Sequence, residues 1–269
     1  MMKKRIIKYF LLLLPFAFFS CEEEAVIENT LPYEEYVVVR AKLEGNEIFE
    51  GVSFTKTLPH DEQYDISKAE LNDVFAYMII DGVRVIPLKY TANGIYKPVE
   101  NLVIETGKTY ELYAKWNGKQ IYAKSYVPQE PDVLNARING SYLNGEITIT
   151  NKEVAGATWL IAYSATSVTD EAEEFYEVKT SASEDQQNIS VRTTDLPDKY
   201  RTLQYRNRYY VRFYCFDKQY ADYFKTKDGN KPIENIFAQG ASTIVWNVQG
   251  EKTIGLFIGM TKSKLIKAE

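Results

Sequence analysis

The chain has 269 residues with 32 Lys+Arg against 37 Asp+Glu, a formal charge of −5. That balance argues against nucleic acid as a partner, because such binding rests on Lys and Arg neutralising phosphates. One histidine and two cysteines leave no zinc set at close spacing, and the 21 Tyr and 13 Phe, with Val, Ile and Thr, favour strands over helices.

The first 24 residues read as a lipoprotein signal. Lys3, Lys4, Arg5 and Lys8 precede an apolar run over 9–19, followed by Ser20, Cys21 and the acidic triplet Glu22, Glu23 and Glu24. A basic start and a short apolar stretch make a cleaved leader, and the run is shorter than the roughly 20 residues that span a bilayer. Phe18 does not suit an ordinary signal peptidase, whereas an apolar approach, a small residue and then Cys is similar to a bacterial lipobox, although Phe19 is bulkier than usual two positions before the Cys. The expected partition is a signal peptide over 1–20 and a lipidated acidic tether over 21–32. Without its first 20 residues the chain keeps 28 Lys+Arg against 37 Asp+Glu, a formal charge of −9. Lipid on Cys21 would hold the protein on a membrane without spanning it, and the three glutamates would keep the domain off an anionic surface.

Strands are expected over 36–43, 49–55 and 74–80, with a loop at 58–65 carrying His60. Two hairpins follow, turned at Asn93-Gly94 and Asn117-Gly118, since Asn-Gly suits a type I′ turn in which both central residues take positive φ. The second has the clearer flanks: Tyr110, Leu112, Ala114 and Trp116 alternate with Glu111, Tyr113 and Lys115. Pro128 and Pro131 break the pattern and place a linker at 128–132, between an N-terminal β-sandwich over 33–127 and a C-terminal β-rich domain over 133–269. In the second half strands are expected over 133–138, 142–150, 158–163, 187–192 and 203–216, with turns at Asn139-Gly140 and Asn144-Gly145. Ser167 and Asp170 form a capping signature for a short helix through Glu177, and Asp217 would cap another over 218–225. Final strands over 242–248 and 252–258 flank Gln249-Gly250. The predicted class is all-β, two immunoglobulin-like β-sandwiches in tandem, the second with one or two short helices.

The run Gly107-Lys108-Thr109-Tyr110-Glu111-Leu112-Tyr113 and the segments 92–96, 122–128, 220–224, 235–237 and 255–257 resemble a Bacteroidota outer-membrane lipoprotein family known as domain of unknown function forty-two forty-nine. Many relatives carry further cysteines in the second domain, where this chain has Cys215 alone. The resemblance implies a cell-surface lipoprotein of two β-rich domains, often encoded beside TonB-dependent outer-membrane transporters, and it brings no catalytic residues. The acidic triplet after Cys21 also resembles the surface-export signal of Bacteroidota lipoproteins; a plain solvated tether is the alternative.

Period-two alternation puts Cys215 on one face with Tyr209, Val211 and Phe213, a core thiol rather than a nucleophile. The opposite face, Tyr210, Arg212 and Tyr214, is the candidate partner surface, because Tyr and Arg dominate interface hot spots; an ordinary sheet face with aliphatic stems and rings packed down is the plainer reading. His60 among Asp61, Glu62 and Asp65 reads as a solvated turn, and the loop lacks the spacing of a calcium-binding EF-hand. Asp170, Glu171, Glu173, Glu174 and Glu177 form the densest acidic cluster and read as a hydrated face. No phosphate-binding glycine loop occurs, and no cofactor or metal is expected. Together these features point to a non-enzymatic binding or accessory module with a TonB-dependent transporter as partner. A structural or adhesive surface component is the alternative, and a carboxylate-only hydrolase a remote one.

Overall fold

The computed structural model describes residues 33–139, 142–149, 154–163, 171–180, 187–192, 209–220 and 245–269, with residues 195 and 198. Seven strands come first: β1 (Val37–Glu44), β2 (Val52–Lys56), β3 (Phe75–Ile80), β4 (Arg84–Ala92), β5 (Ile95–Pro98), β6 (Lys108–Trp116) and β7 (Lys119–Val127). The two Asn-Gly turns form as expected: Asn93 and Gly94 have φ of 53° and 74°, Asn117 and Gly118 have 47° and 80°. Asp81 and Gly82, at 50° and 71°, make a third turn between β3 and β4; Asp-Gly is itself a hairpin signal. The loop after β2 ends in a single helical turn, α1 (Ile66–Ala69), absent from the sequence expectation; Asp65 caps it by accepting the Ser67 N–H at 2.9 Å.

The second half supplies β8 (Asp132–Asn139), β9 (Tyr142–Ile149), β10 (Val154–Tyr163), β11 (Glu171–Thr180), β12 (Gln187–Arg192), β13 (Tyr209–Asp217), β14 (Val248–Gly250), β15 (Thr253–Lys262) and β16 (Ile266–Lys267). Two expectations are corrected here. Glu171 to Glu177 is strand rather than helix, because β11 pairs along its whole length with β10, from Ala155 opposite Thr180 to Tyr163 opposite Glu171. Asn144-Gly145 is no turn: both lie inside β9, paired to β8 and β12, and the missing Cβ at Gly145 leaves room for the Phe213 ring. The expected 139–140 turn and the helix over 218–225 lie partly outside the described residues. Within them, residues 218–220 are helical, and Asp217 Oδ1 accepts the Gln219 N–H at 2.9 Å, as a cap does.

Thirteen strands form one sheet in the order β11-β10-β13-β15-β1-β2-β5-β4-β3-β6-β7-β14, with β16 also on β13; β12-β9-β8 form a second. The large sheet curls, so that Val39, Leu43, Phe54, Met78, Leu112 and Ile121 share one buried cluster with Val248 and Phe257. A second cluster lies between the small sheet (Ala136, Leu143, Ile147, Ile189) and Val211, Phe213 and Cys215 of β13. Strand β15 belongs to both regions. It runs parallel to β1, Val37 opposite Thr253 through Glu44 opposite Met260, and its last residues pair antiparallel with β13. At Gly255, with φ of 148°, a side chain would collide with the Val39 backbone, so this close parallel approach requires glycine.

A buried polar knot lies where the two cores meet. Asp217 Oδ2 accepts the Ser125 hydroxyl at 2.8 Å and the Tyr126 N–H at 2.7 Å, while Ser125 Oγ accepts the Gly259 N–H at 2.8 Å. Nearby, Thr261 Oγ1 donates to the Gln129 carbonyl at 2.9 Å, within the segment 128–132. Residues 35–269 therefore form one compact unit with two cores on a continuous sheet. Among the described residues no helix is long and apolar enough to cross a membrane.

Candidate functional site

Strands β3, β6 and β7 send alternate side chains inward, where Ala76, Met78, Tyr110, Leu112, Ile121 and Ala123 are buried. The other half of each alternation faces out, and register decides what meets there. Tyr77 pairs with Tyr113 and Tyr113 with Tyr122, so three tyrosines line up across three neighbouring strands. Their spacing follows the interstrand distance of about 4.8 Å: ring centroids are 5.4 Å apart for Tyr77 and Tyr113 and 5.0 Å for Tyr113 and Tyr122. Phe75, 69% exposed, sits edge-on to Tyr77 at 6.0 Å. On β4 the row is extended by Pro87, opposite Tyr77, and widened by Val85, opposite Ile79 and 56% exposed.

The rings of Tyr77 and Tyr113 are 11° from parallel. The rings of Tyr113 and Tyr122 are tilted by 55°. Charges rim it. Tyr113 Oη donates to Glu111 Oε2 at 2.9 Å, which pushes the phenol up to about 12 and keeps it neutral at ordinary pH. Lys124 Nζ lies 3.5 Å from Glu111 Oε1. Burial, then the charge of Glu111, raises Tyr122 as well. Such a face can exclude water and offer hydroxyl hydrogen bonds to something laid against it.

The surface expected on β13 is narrower than its sequence suggests. Tyr209, Val211, Phe213 and Cys215 are buried on one face, as the alternation requires. On the other, Tyr210 and Arg212 are half-buried and Arg212 Nε is buried with no hydrogen-bond partner among the described residues, but Tyr214 is only 2% exposed. Tyr214 stacks on Phe216 at 6.0 Å, and the turn into residues 218–220 sets Tyr220 against Phe216 at 4.7 Å. The stripe Tyr210, Arg212 and Tyr214 therefore stops at Arg212. Cys21, Glu22, Glu23 and Glu24 lie outside the described residues, as does the segment 199–208 that leads into β13.

The loop around His60 spends its carboxylates locally: Asp65 on the α1 cap, where the Ser67 hydrogen bonds hold it below the usual carboxylate range, and Glu62 on Lys68 at 3.1 Å. The side chains of Glu171, Glu173, Glu174 and Glu177 lie outside the described residues, with Asp170. Among the described residues no three His, Cys, Asp or Glu side chains come together to hold a metal. Burial pushes the Cys215 thiol up to about 12, and a thiol so far from its thiolate is inert as a nucleophile.

The row Phe75, Tyr77, Tyr113 and Tyr122 is missing from the sequence expectation. Its signal was partial: the alternation around Tyr113 is visible in the sequence, while the lining-up depends on register between strands. Neither a family model nor a curated protein matches the chain.

Proposed function

We propose that this protein is a non-enzymatic lipoprotein anchored through Cys21 to the outer membrane and exposed at the cell surface, where it acts as the accessory partner of a TonB-dependent transporter. The observation that carries this reading is the aromatic row on the outward face of β3, β6 and β7, in which Phe75 is exposed and Tyr77, Tyr113 and Tyr122 are half-buried. Contiguous exposed apolar patches rimmed by polar groups mark interaction sites, and tyrosine is a favoured anchor in protein interfaces. The lipid supplies the rest of the mechanism: confined to the plane of the membrane, the module meets its partner at high effective concentration, so a weak contact suffices.

The test is purification from gently solubilised outer membranes. A barrel transporter in stoichiometric amount with the wild type, lost with Tyr77→Ala/Tyr113→Ala, is the expected result, together with release of Cys21→Ala into the soluble fraction. Self-assembly into higher oligomers with no transporter would overturn it in favour of a structural or adhesive component.

A further inference from the structure

A cavity of about 260 Å³ opens on the outward face of β1, β2 and β15. Pairing builds its floor as a row across three strands. Thr55 of β2 lies opposite Val38 of β1, and Val38 lies beside Ile254 of β15. Leu256 continues the floor, and the chain leaving β2 forms one wall with Leu58 and the exposed Tyr64. The other wall is Trp246, whose neighbour Asn247 clamps the backbone of β15: its Nδ2 donates to the Phe257 carbonyl at 2.7 Å and its Oδ1 accepts the Phe257 N–H at 2.9 Å. That clamp ties the segment carrying Trp246 to β15, whereas none of the lining comes from β3, β6 or β7.

The floor holds one polar group without a task. Thr55 is only 7% exposed, and its side chain makes no hydrogen bond among the described residues. Its methyl is turned toward Gly94, where an added Cβ would come within 3.3 Å of it, so the hydroxyl is the part left for the cavity. Buried polar groups are almost always paired, and a hydroxyl, which can both donate and accept, suits an uncharged partner. The cations of the lining do not compete for that role. Lys56 stands opposite Val37, a residue of the first core, and is ion-paired with Glu35 at 3.0 Å, while Arg40 is exposed and already engaged. A sugar would bring several hydroxyls that each need a partner when buried, and Val38, Ile254 and Leu256 offer none. One ring with one polar group fits better, since only two interstrand steps of about 4.8 Å separate Thr55 from Ile254. Aromatic and aliphatic walls around a few placed polar groups are also the usual lining of a small-molecule site. We infer that this cavity binds a small uncharged phenol, with its hydroxyl on Thr55 and its ring against Val38, Ile254 and Trp246.

Calorimetric titration of the purified protein tests this with p-cresol against toluene, a pair alike in shape but for the hydroxyl, and with D-glucose. The cresol should saturate the protein and bind about threefold tighter or more than toluene, while glucose should bind more weakly than the cresol. Thr55→Val, which keeps the shape and removes the hydroxyl, should weaken the cresol about threefold to tenfold and leave toluene unchanged. Trp246→Ala should weaken both rings, and Trp246→Tyr, which keeps a ring and serves if the alanine variant fails to fold, should retain most of the binding. Tyr113→Ala on β6 should change nothing. Failure of the cresol to saturate, equal binding of cresol and toluene, cresol binding indifferent to Thr55→Val, or glucose bound more tightly than the cresol would each overturn the inference.

Discussion

Glu44 closes the outward edge of β1 with its side chain 11% exposed, between Lys42 at 2.8 Å and Lys262. Burial alone pushes its carboxyl up; the hydrogen bonds and charges of Lys262 and Lys42 outweigh that and hold it below the usual carboxylate range. A carboxyl depressed in the folded state stabilises the fold above its unfolded value of about 4.3, and that contribution is lost as the pH falls through the lower folded value. Glu44→Gln should therefore cost about 1–2 kcal/mol at neutral pH, between the values for exposed and buried pairs. Urea unfolding of both proteins checks it: the gap should narrow as the pH falls through that lowered value, and a gap independent of pH would exclude the ion cluster as its cause. The same residue-by-residue logic accounts for several of the many tyrosines. Tyr96 fills the first core while its hydroxyl donates to the Leu71 carbonyl and accepts the Val74 N–H, each at 2.9 Å. Tyr110 accepts the Glu105 N–H at 2.7 Å, and Trp116 Nε1 donates to Asp73 at 2.9 Å. Each ring supplies apolar area and a polar tip that ties down a loop.

At the scale of elements, β15 shows how an open strand edge is finished. Its β13 pairing begins only at Met260, so Phe257 and Gly259 find side chains instead, Asn247 and Ser125. Asn247→Ala removes both partners of Phe257 at once. Leaving a buried donor and acceptor unpaired costs about 1–3 kcal/mol each, so the Phe257 amide should exchange markedly faster in hydrogen-exchange measurements while amides of β6 keep their protection; unchanged exchange at Phe257 would show that the clamp contributes nothing. What the sequence made legible follows the same division between local and distant causes. The turns at Asn93-Gly94 and Asn117-Gly118 were readable because positive φ at two successive residues is a local demand. The strand at Glu171–Thr180 was not, because a capping signature at Ser167 and Asp170 is a weak preference and pairing with β10 overrides it. Gly145 reads as a turn residue until Phe213, from a strand far along the chain, is seen to need the space. The parallel match of Val37 with Thr253 leaves no mark on either segment. The candidate site divides likewise: the outward position of Tyr113 was legible, whereas its alignment with Tyr77 and Tyr122 was a matter of register, and the burial of Tyr214 depended on the chain turning back after Asp217.

The whole molecule is governed by that same late strand. Phe257 completes the first core, Thr261 and Met260 pair with Cys215 and Phe216 of β13, and the Ser125, Asp217 and Gly259 hydrogen bonds cross the ground between the two cores. Pulling β15 away would expose the first core and strip a strand from the sheet that backs the second, so neither can lose it and stay folded. Two-state unfolding is the rule for single domains below about 150 residues and often fails in larger chains; here the shared strand predicts a single transition despite the length. Scanning calorimetry should give one peak whose calorimetric and van't Hoff enthalpies agree. Phe213→Ala in the second core, a loss of about 3–5 kcal/mol, should lower the melting of the entire peak rather than split it. Two resolved peaks, with only one moved by Phe213→Ala, would mean that the cores fold independently and that β15 is a seam instead of a shared member.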